Sequence, residues 1–415
     1  MRDRLNVLML THRLPFAPNR GDRIRAYYLL HALAREAHVD LVSLVHDREE
    51  AAEVDALRDR VRSITTARVV RARSLLRAAV SLPGPQPLTH ALLDAPDLNA
   101  AIADAAGRHR PDVVVAFCSS MAKCALEAPL GGIPFILDLV DVDSEKWRQL
   151  GDTSRGPFGW VYRREARVLR PFEARAARAS AATLVVNDRE RASLEDIAPG
   201  APIHVVPNGI DAVRFTPPIV PSAEAEIVFC GVMDYAPNVE GVLWFVKRVW
   251  PAVRAARSDA KLTIVGARPT AAVRALAIDP SIDVTGTVPD VRPYLWRSAL
   301  SIAPLRIARG VQNKVLEALA AGLPCVVSEA VYEGLPHAAR AGCIEGGSAA
   351  SFGAAVVRLL GVRPEARRRL AAQVNLSELS WRDAFAPLGD LLRDAARRRD
   401  AAAAHEDHAL YECRV

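Results

Sequence analysis

The sequence predicts an α/β protein whose parallel sheets are covered by helices. Apolar runs without alternation, such as Val113–Phe117, are typical of strands buried on both faces of a parallel sheet. The apolar run Leu5–Leu10 precedes a glycine-bearing loop and then a helical pattern, which is the order of a first Rossmann-like unit. With 415 residues, the chain is long enough for two domains, each with its own core.

The composition is that of a folded protein that handles anions. The chain is 50% hydrophobic and 25% charged, with a net charge of +6 and a pI near 9.1. This balance suits anionic substrates or an anionic membrane surface. We expect no nucleic-acid partner, because no zinc-ligand spacing, aromatic RNA-binding motif or basic zipper is present.

Cysteine spacing and hydropathy indicate the compartment. None of the six cysteines forms a C-x-x-C pair, which favours free thiols in a reducing cytosol. No uncharged apolar stretch approaches the length that spans a bilayer. We therefore expect a cytoplasmic protein, with peripheral contact at the inner face of the membrane as the alternative.

Residues 308–324 form the most informative stretch. Val315 with Leu319, and Leu316 with Ala320, give one apolar helical stripe, and a glycine and a proline then end the helix. A helix N-terminus favours phosphate, and Lys314 lies beside it. A carboxylate at Glu317 can accept hydrogen bonds from two adjacent ribose hydroxyls. The alternative is a surface helix with an ordinary Lys314–Glu317 pair.

These residues resemble a known family. The run Leu316–Val327 is similar to the nucleotide-sugar signature of GT-B glycosyltransferases, especially the family 4 and group 1-like proteins. Segments 204–211 and 282–291 resemble two further family segments, one before the interdomain hinge and one bordering the nucleobase. The run 309–314 looks like the subgroup of sugar transferases associated with exosortase/PEP-CTERM exopolysaccharide systems.

The resemblance implies a fold and a domain plan. We expect a GT-B fold, with two Rossmann-like α/β/α domains whose parallel sheets face a central cleft and a C-terminal helix that crosses back to the first domain. The expected divisions are an acceptor domain over 1–207, a linker over 208–224, a nucleotide-sugar domain over 225–380, and a return helix and frayed tail over 381–415.

The resemblance also implies a donor site for a UDP- or GDP-type sugar, with no cofactor and no metal. The family holds the donor diphosphate with an Arg and a Lys-Gly, which are missing after Gly231, so we expect Arg309 and Lys314 to supply that charge and to act in catalysis. The candidate donor-binding residues are Gly231, Asn238, Gly266, Val288, Arg309, Gly310, Val311, Gln312, Asn313, Lys314 and Glu317.

The acceptor candidates lie in the first domain. Asp141 follows an apolar strand and could serve as a base or orient an acceptor hydroxyl. Asp143 is a second candidate, with helix capping as the alternative. The remaining candidates lie in or just after the first loop, which could also be a solvated basic loop, and they are His12, Arg13, Gly21, Asp22 and Arg25.

Residues 155–178 predict a basic helix with interleaved apolar residues. Such a helix lies on a membrane surface or packs against a sheet with a solvated arginine face, and we favour packing.

The predicted function is transfer of a sugar from a nucleotide-diphosphate sugar to a saccharide or lipid-linked acceptor, with retention and without a metal. The chain departs from the family by lacking the upstream glutamate and a histidine after Val113–Phe117. Two alternatives stay open. One is a nucleotide-sugar 2-epimerase of the same fold, against which the lack of a clear His/Glu constellation for proton abstraction counts. The other is a non-catalytic GT-B partner subunit, which the absent upstream glutamate and diphosphate cations favour.

Overall fold

The chain divides into two compact units. The computed structural model describes residues 4–16, 21–154, 156–217, 225–308 and 310–399, with the backbone alone at 21 and 22. Unit 1 comprises Met1–Val206 and Phe385–Val415, and unit 2 comprises Pro207–Ala384.

Unit 1 is built on a seven-stranded sheet in the order β3-β2-β1-β4-β5-β6-β7, with neighbouring strands parallel. The strands are β1 (Asn6–Thr11), β2 (His38–Val45), β3 (Ser63–Arg68), β4 (Val113–Phe117), β5 (Phe135–Val140), β6 (Ala182–Val185) and β7 (Ile203–Val205). The helices are α1 (Gly21–Glu36), α2 (Arg48–Ala52), α3 (Arg71–Ser81), α4 (Leu88–Leu92), α5 (Leu98–Arg108), α6 (Ser119–Leu126), α7 (Asp143–Thr153), α8 (Pro157–Ala179) and α9 (Asp188–Ile197), with a 3₁₀ helix over Val54–Arg60. A last helix covers 388–399.

Unit 2 is built on a six-stranded sheet in the order β10-β9-β8-β11-β12-β13, again parallel. Its strands are β8 (Glu226–Cys230), β9 (Lys261–Val265), β10 (Ile282–Gly286), β11 (Leu300–Ala303), β12 (Cys325–Val327) and β13 (Cys343–Glu345). Its helices are α10 (Ala212–Phe215), α11 (Ala236–Arg248), α12 (Trp250–Ala256), α13 (Ala271–Arg274), α14 (Arg292–Arg297), α15 (Asn313–Ala320), α16 (Glu329–Gly334), α17 (His337–Arg340), α18 (Ala349–Gly361), α19 (Pro364–Ala371) and α20 (Trp381–Ala384), with a 3₁₀ helix over Ala275–Ile278.

The apolar runs form the cores of both sheets, as predicted. Val113–Phe117 is buried along its whole length, and so is Glu226–Cys230 in unit 2. Central strands covered by helices on both faces need such continuous apolar runs. Helix α8 packs its alanines and Leu169 against unit 1, which confirms the packing alternative for the basic helix.

The unit boundaries differ from the expected domain plan. Residues 208–217, expected in a linker, lie with unit 2, because Asn208 and helix α10 pack against α15. Residues 381–384, expected in the return segment, also lie with unit 2. The helix over 388–399 lies with unit 1, which agrees with a C-terminal helix that returns to the first domain.

Candidate active site

Both sheets contain a topological switch point, where the strand order reverses. In unit 2 it lies between β8 and β11, and in unit 1 it lies between β1 and β4. Open parallel sheets bind ligands in the crevice beyond the carboxyl ends of the strands at this place. We call these two places the unit 2 switch point and the unit 1 switch point.

Helix α15 follows β11 and begins at the unit 2 switch point. Its N-cap residue, Gln312, makes no side-chain cap. Val315 donates its N–H to the Gln312 carbonyl over 2.9 Å, and within the described ranges the N–H groups of Asn313 and Lys314 have no such acceptor, so they can donate to a ligand. The stripe that holds the helix in place, including Val315 and Leu319, is buried. Gly322 has a φ of 78°, and the Leu323 N–H donates to the carbonyl of Ala318, which ends the helix as predicted.

Lys314 lies in the first turn of α15, with its ammonium group fixed by two neighbours. Its Nζ donates to Oδ1 of Asn238 over 2.6 Å and lies 4.6 Å from the ring centroid of Phe229. The Nδ2 of Asn238 in turn donates to the Val232 carbonyl over 2.9 Å. Asn238 is therefore a buried residue that positions Lys314.

Two predicted glycines make room for this arrangement. A Cβ atom on Gly231 would lie 3.1 Å from Nζ of Lys314 and 2.8 Å from Nδ2 of Asn238. A Cβ atom on Gly266 would lie 1.6 Å from the Gly231 carbonyl oxygen. Any larger residue at 266 would collide with the backbone of the loop after β8, so close backbone approach requires glycine there, whereas Gly231 leaves room for the side chains of Asn238 and Lys314.

Burial brings the pKa values of Lys314 and Glu317 towards each other. It lowers the pKa of Lys314 to about 8, against the opposing charges of Cys230 and Glu317. It raises the pKa of Glu317 to about 7, although Lys314 and Arg214 favour its charged form. Among the described residues, none donates a hydrogen bond to the Glu317 carboxylate, so its oxygens remain available to hydroxyl groups of a ligand.

Segment 208–217 contributes residues that the sequence analysis did not select. The Nδ2 of Asn208 donates to Oδ1 of Asn313 over 2.9 Å, at the first residue of α15. The charge of Arg214, in α10, lowers the pKa of Glu317. Asn208 lies in a segment that resembles the family, but no sequence pattern singles out Arg214, whose approach depends on α10 packing against α15.

The other donor candidates lie around the same helix or at some distance from it. Val311 is buried, and Gln312 donates to the Gly310 carbonyl over 3.1 Å, which closes the loop before α15. Val288 lies in the loop after β10, two strands away from β8. Arg309 lies outside the described residues.

In unit 1 the loop after β1 is anchored by a buried carboxylate. Glu50 accepts hydrogen bonds from the backbone N–H groups of Leu14 and His46, at 3.0 and 2.9 Å, and forms ion pairs with Arg13 and Arg23. Glu50 therefore holds Arg13, Leu14 and Arg23 in place. Gly21 and Asp22, expected in that loop, are the first two residues of α1.

His12 lies over the end of the neighbouring strand. Its ring is parallel to that of Phe117, with the centroids 5.8 Å apart, and its Nδ1 lies 3.3 Å from Sγ of Cys118. The structure thus brings one predicted residue, His12, to the unit 1 switch point together with a cysteine that the sequence analysis did not select.

Arg25 is the clear correction among the acceptor candidates. It is fully buried, and its Nε lies 3.0 and 2.9 Å from the two carboxylate oxygens of the equally buried Asp138. It also donates to the Val206 carbonyl over 2.9 Å. Its guanidinium compensates a buried carboxylate inside unit 1, so the prediction that Arg25 contacts the acceptor is wrong.

Asp141 lies just beyond β5, in a turn held by two buried carboxylates. Val140 has a φ of 68°, and Val142 donates its N–H to Glu190 over 2.7 Å. Ser144 donates its N–H to Glu173 over 3.3 Å, and burial, with the charge of the neighbouring Asp143, raises the pKa of Glu173 to about 8. Fixed in this way, the turn presents Asp141 beyond the carboxyl end of its strand.

Asp143 is the first residue of α7, and Val142 is the N-cap. The capping alternative is therefore wrong in detail, although an acid in the first turn still stabilises the helix. The Asp143 carboxylate pairs with Lys146 at 3.7 Å and remains partly exposed. Sequence reasoning missed Glu173 and Glu190 because both lie in helices, α8 and α9, that appear solvated and charged.

The comparisons with known proteins agree with this architecture. Residues 19–214 match the family model described as Glycosyltransferase Family 4, and residues 224–361 match the model described as Glycosyl transferases group 1. The two matches lie in the order of the two units. The chain is a glycosyltransferase with the GT-B fold. No curated protein matches its sequence.

Solved structures of similar fold cover almost the whole glycosyltransferase. Sucrose-phosphate synthase from Thermosynechococcus elongatus superposes with a TM-score of 0.70 at 16% identity, over 94% of this chain and 98% of that chain. TarM superposes with a TM-score of 0.68 at 10% identity, over 94% of this chain and 99% of that chain. HepE from Anabaena, solved in complex with UDP, superposes with a TM-score of 0.64 at 12% identity, over 94% of this chain and 100% of that chain. At these identities the likeness shows the fold.

The subgroup associated with exosortase/PEP-CTERM systems is not established by these comparisons. No helix in the described ranges is both long and apolar enough to cross a bilayer.

Proposed function

We propose that this glycosyltransferase moves a sugar from a nucleoside-diphosphate sugar, held by unit 2, to a saccharide or lipid-linked acceptor, held by unit 1, in exopolysaccharide or other cell-surface glycan synthesis. One observation carries the proposal. An ammonium group and a carboxylate, those of Lys314 and Glu317, lie one turn apart on a helix whose uncapped N-terminus is at the unit 2 switch point.

This arrangement suits a leaving nucleoside diphosphate. As the glycosidic bond breaks, negative charge grows on the diphosphate, and Lys314 together with the α15 N–H groups would stabilise it. Glu317 would accept hydrogen bonds from the two ribose hydroxyls. Arg309, adjacent in sequence to this loop, would add further positive charge. With these groups in place, the departing diphosphate requires no metal ion.

The uridine nucleotides are the first donors to test. HepE is solved with UDP and with UDP-glucose bound, the latter at 12% identity and a TM-score of 0.60 over 97% of this chain and 100% of that chain. A guanosine nucleotide is the alternative. In unit 1, Asp141 is our candidate for orienting the acceptor hydroxyl, and retention at the anomeric carbon is the stereochemistry that the family resemblance implies.

The surface of unit 1 supports a lipid-linked acceptor. Helix α3 buries only Ser74 and exposes 54% of Leu75, 66% of Leu76 and 73% of Val80, and it carries arginines at 71, 73 and 77. The exposed Trp160 lies in the first turn of α8, whose Arg164 donates to the Ser81 carbonyl at the end of α3. Apolar side chains with arginines between them are typical of helices that lie on anionic lipid.

Vesicle flotation tests the membrane part of the proposal. Wild-type protein should float with vesicles of anionic phospholipid and less with neutral ones, and Leu76→Glu should reduce flotation. The matched control is Val213→Glu, a residue of unit 2 that is 88% exposed. Equal flotation of wild type and Leu76→Glu would contradict this surface.

Thermal unfolding with a nucleotide panel tests the donor site. A ligand at about one hundred times its dissociation constant adds about 2.7 kcal/mol to the free energy of unfolding, enough to raise the melting temperature. We expect a shift with one nucleoside diphosphate, and its loss in Glu317→Ala. No shift with UDP, GDP or ADP would contradict the proposal, and release of a free 2-epimer sugar without acceptor would identify an epimerase.

A further inference from the structure

Cys118 lies in an unusual place in unit 1. It joins β4 to α6 at the unit 1 switch point, and its backbone has a φ of 75° and a ψ of 168°, a conformation that non-glycine residues rarely adopt. Part of the residue remains accessible. The chain therefore places a thiol at the ligand-binding edge of the sheet.

A histidine that directly follows the neighbouring strand, β1, lies beside this thiol. His12 Nδ1 lies 3.3 Å from Sγ, and Oγ of Ser120 lies 3.0 Å from it on the other side. The His12 ring is held parallel to Phe117, and the His12 carbonyl accepts a hydrogen bond from Nε2 of His46 over 2.9 Å. These contacts hold the imidazole against the sulfur.

The electrostatics of this pair distinguish Cys118 from the other described cysteines. Burial alone would raise the pKa of Cys118, and the charge of Asp143 would add to that rise, but the charge and hydrogen bond of His12 leave it below the usual value. Burial raises the pKa of Cys124 to about 11 and that of Cys230 to about 12. Burial also raises the pKa of Cys325 well above its usual value. The thiol of Cys343 donates to the Ala339 carbonyl at 3.5 Å.

We propose that Cys118 and His12 form a thiolate–imidazolium pair that reacts with low-molecular-weight disulfides, so that reversible S-thiolation blocks the unit 1 switch point. The Cys118 thiolate attacks one sulfur of the disulfide, the S–S bond breaks, and a mixed disulfide forms on Cys118. The other sulfur leaves as a thiolate and takes the proton from His12, whose ring becomes neutral. A free thiol reverses the reaction by attacking the mixed disulfide.

The blocking effect rests on the proposed function, because it assumes that the acceptor binds at the unit 1 switch point. The reactivity of Cys118 does not depend on that assumption. The two parts can therefore fail separately.

Reaction with 5,5′-dithiobis(2-nitrobenzoate), an aromatic disulfide, tests the reactivity. Cys413 lies outside the described residues, so every protein in this test carries Cys413→Ser. In that background we expect one fast-reacting thiol, which Cys124→Ser retains and Cys118→Ser lacks. Cys124 is the matched control, because it lies in the same helix and is also partly accessible. Cys118→Gly provides a second variant that suits the local backbone, and thermal unfolding of each variant shows whether it has folded.

The pH dependence tests the pairing with His12. An ordinary thiol loses about tenfold in rate for each pH unit below its pKa, because its thiolate fraction falls. The fast reaction of wild type should fall much less than this towards pH 6, and His12→Gln should slow it and restore the ordinary dependence. A fast phase that survives in Cys118→Ser, that is absent in wild type, or that is unchanged in His12→Gln would overturn the proposal.

Glycosyl transfer after modification tests the blocking effect. Treatment with oxidised glutathione should lower transfer by wild type at least tenfold, dithiothreitol should restore it, and nucleotide-induced thermal stabilisation should stay unchanged. Cys118→Ser should resist the treatment. Full transfer by a protein shown by mass spectrometry to be modified on Cys118 would overturn the blocking effect. Absence of transfer before treatment would instead count against the proposed function.

Discussion

The ends of β8 and β11 in unit 2 and the ends of β1 and β4 in unit 1 occupy equivalent places in two sheets of the same strand order. In unit 2, Gly231 and Gly266 leave space at the end of the sheet. Lys314 and Glu317 extend from α15, whose N-cap residue makes no side-chain cap. In unit 1 the corresponding turns are held by buried carboxylates, and a half-buried histidine lies beside a partly accessible cysteine. A phosphate requires backbone N–H groups and a cation, and one helix start supplies both.

Arg25 and Lys314 sharpen this comparison because both are cations that the sequence assigned to binding. In the structure the two have different surroundings. Arg25 is a buried ion-pair partner of Asp138, whereas Lys314 lies at the start of α15. The predictions below test that difference, and they begin with the largest expected effect.

Arg25→Met should destabilise unit 1 by about 3 kcal/mol or more, because it leaves Asp138 buried without its partner. Calorimetric unfolding measures the loss. The double variant Arg25→Met/Asp138→Leu should recover much of it, since the uncompensated charge is removed. Nucleotide-induced stabilisation should persist in both variants. A single variant as stable as wild type would contradict a structural role for Arg25.

Lys314→Met should lower kcat/KM for sugar transfer by about 10² to 10³, the usual cost of removing one charge-stabilising donor. Steady-state kinetics with the donor found in the nucleotide panel measures it. Lys247→Met, at an exposed lysine of the same unit, is the control and should behave as wild type. The role of Lys314 would be disproved by a variant that retains activity within a few-fold.

Gly266→Ala should destabilise unit 2 by about 1 to 3 kcal/mol, because the new Cβ would force the β8 and β9 loops apart. The melting temperature measures the change. Gly347→Ala is the matched control, since a Cβ there meets no atom within 4 Å. If both alanines had the same effect, the close approach at Gly266 would not be what requires glycine.

Much of the candidate donor site in unit 2 could be predicted from the sequence, because its residues lie close together along the chain. The loop, apolar stripe and stop signal of α15 lie within one run, and the structure has this helix as predicted. The apolar runs likewise predicted the strands, since each must be buried on both faces of its sheet.

The candidate acceptor site in unit 1 could be predicted only in part, because its contacts join residues that are far apart in the sequence. Arg25 meets Asp138 113 positions away, and a solvated loop residue and a buried ion-pair partner look alike in sequence. Glu50, Glu173 and Glu190 lie in polar helical runs and carry no local signal of burial. The pairing of His12 with Cys118 depends on β1 and β4 being neighbours, which only the sheet order provides.

The most direct test of the account is the dissociation constant of a nucleoside-diphosphate sugar measured against pH by titration calorimetry. The donor identified by the nucleotide panel is used, because its diphosphate does not titrate in this range. In wild type, affinity should be highest between about pH 7 and pH 8. Below that window Glu317 takes up a proton, and above it Lys314 loses one.

The variants assign the two limbs of the profile. Glu317→Gln should bind more weakly and lose the acid limb, and Lys314→Met should bind more weakly and lose the alkaline limb. Glu317→Gln should also raise the melting temperature at pH 8, because it removes a carboxylate whose pKa burial has raised. A flat wild-type profile, with both variants binding as tightly as wild type, would contradict a donor site built on α15.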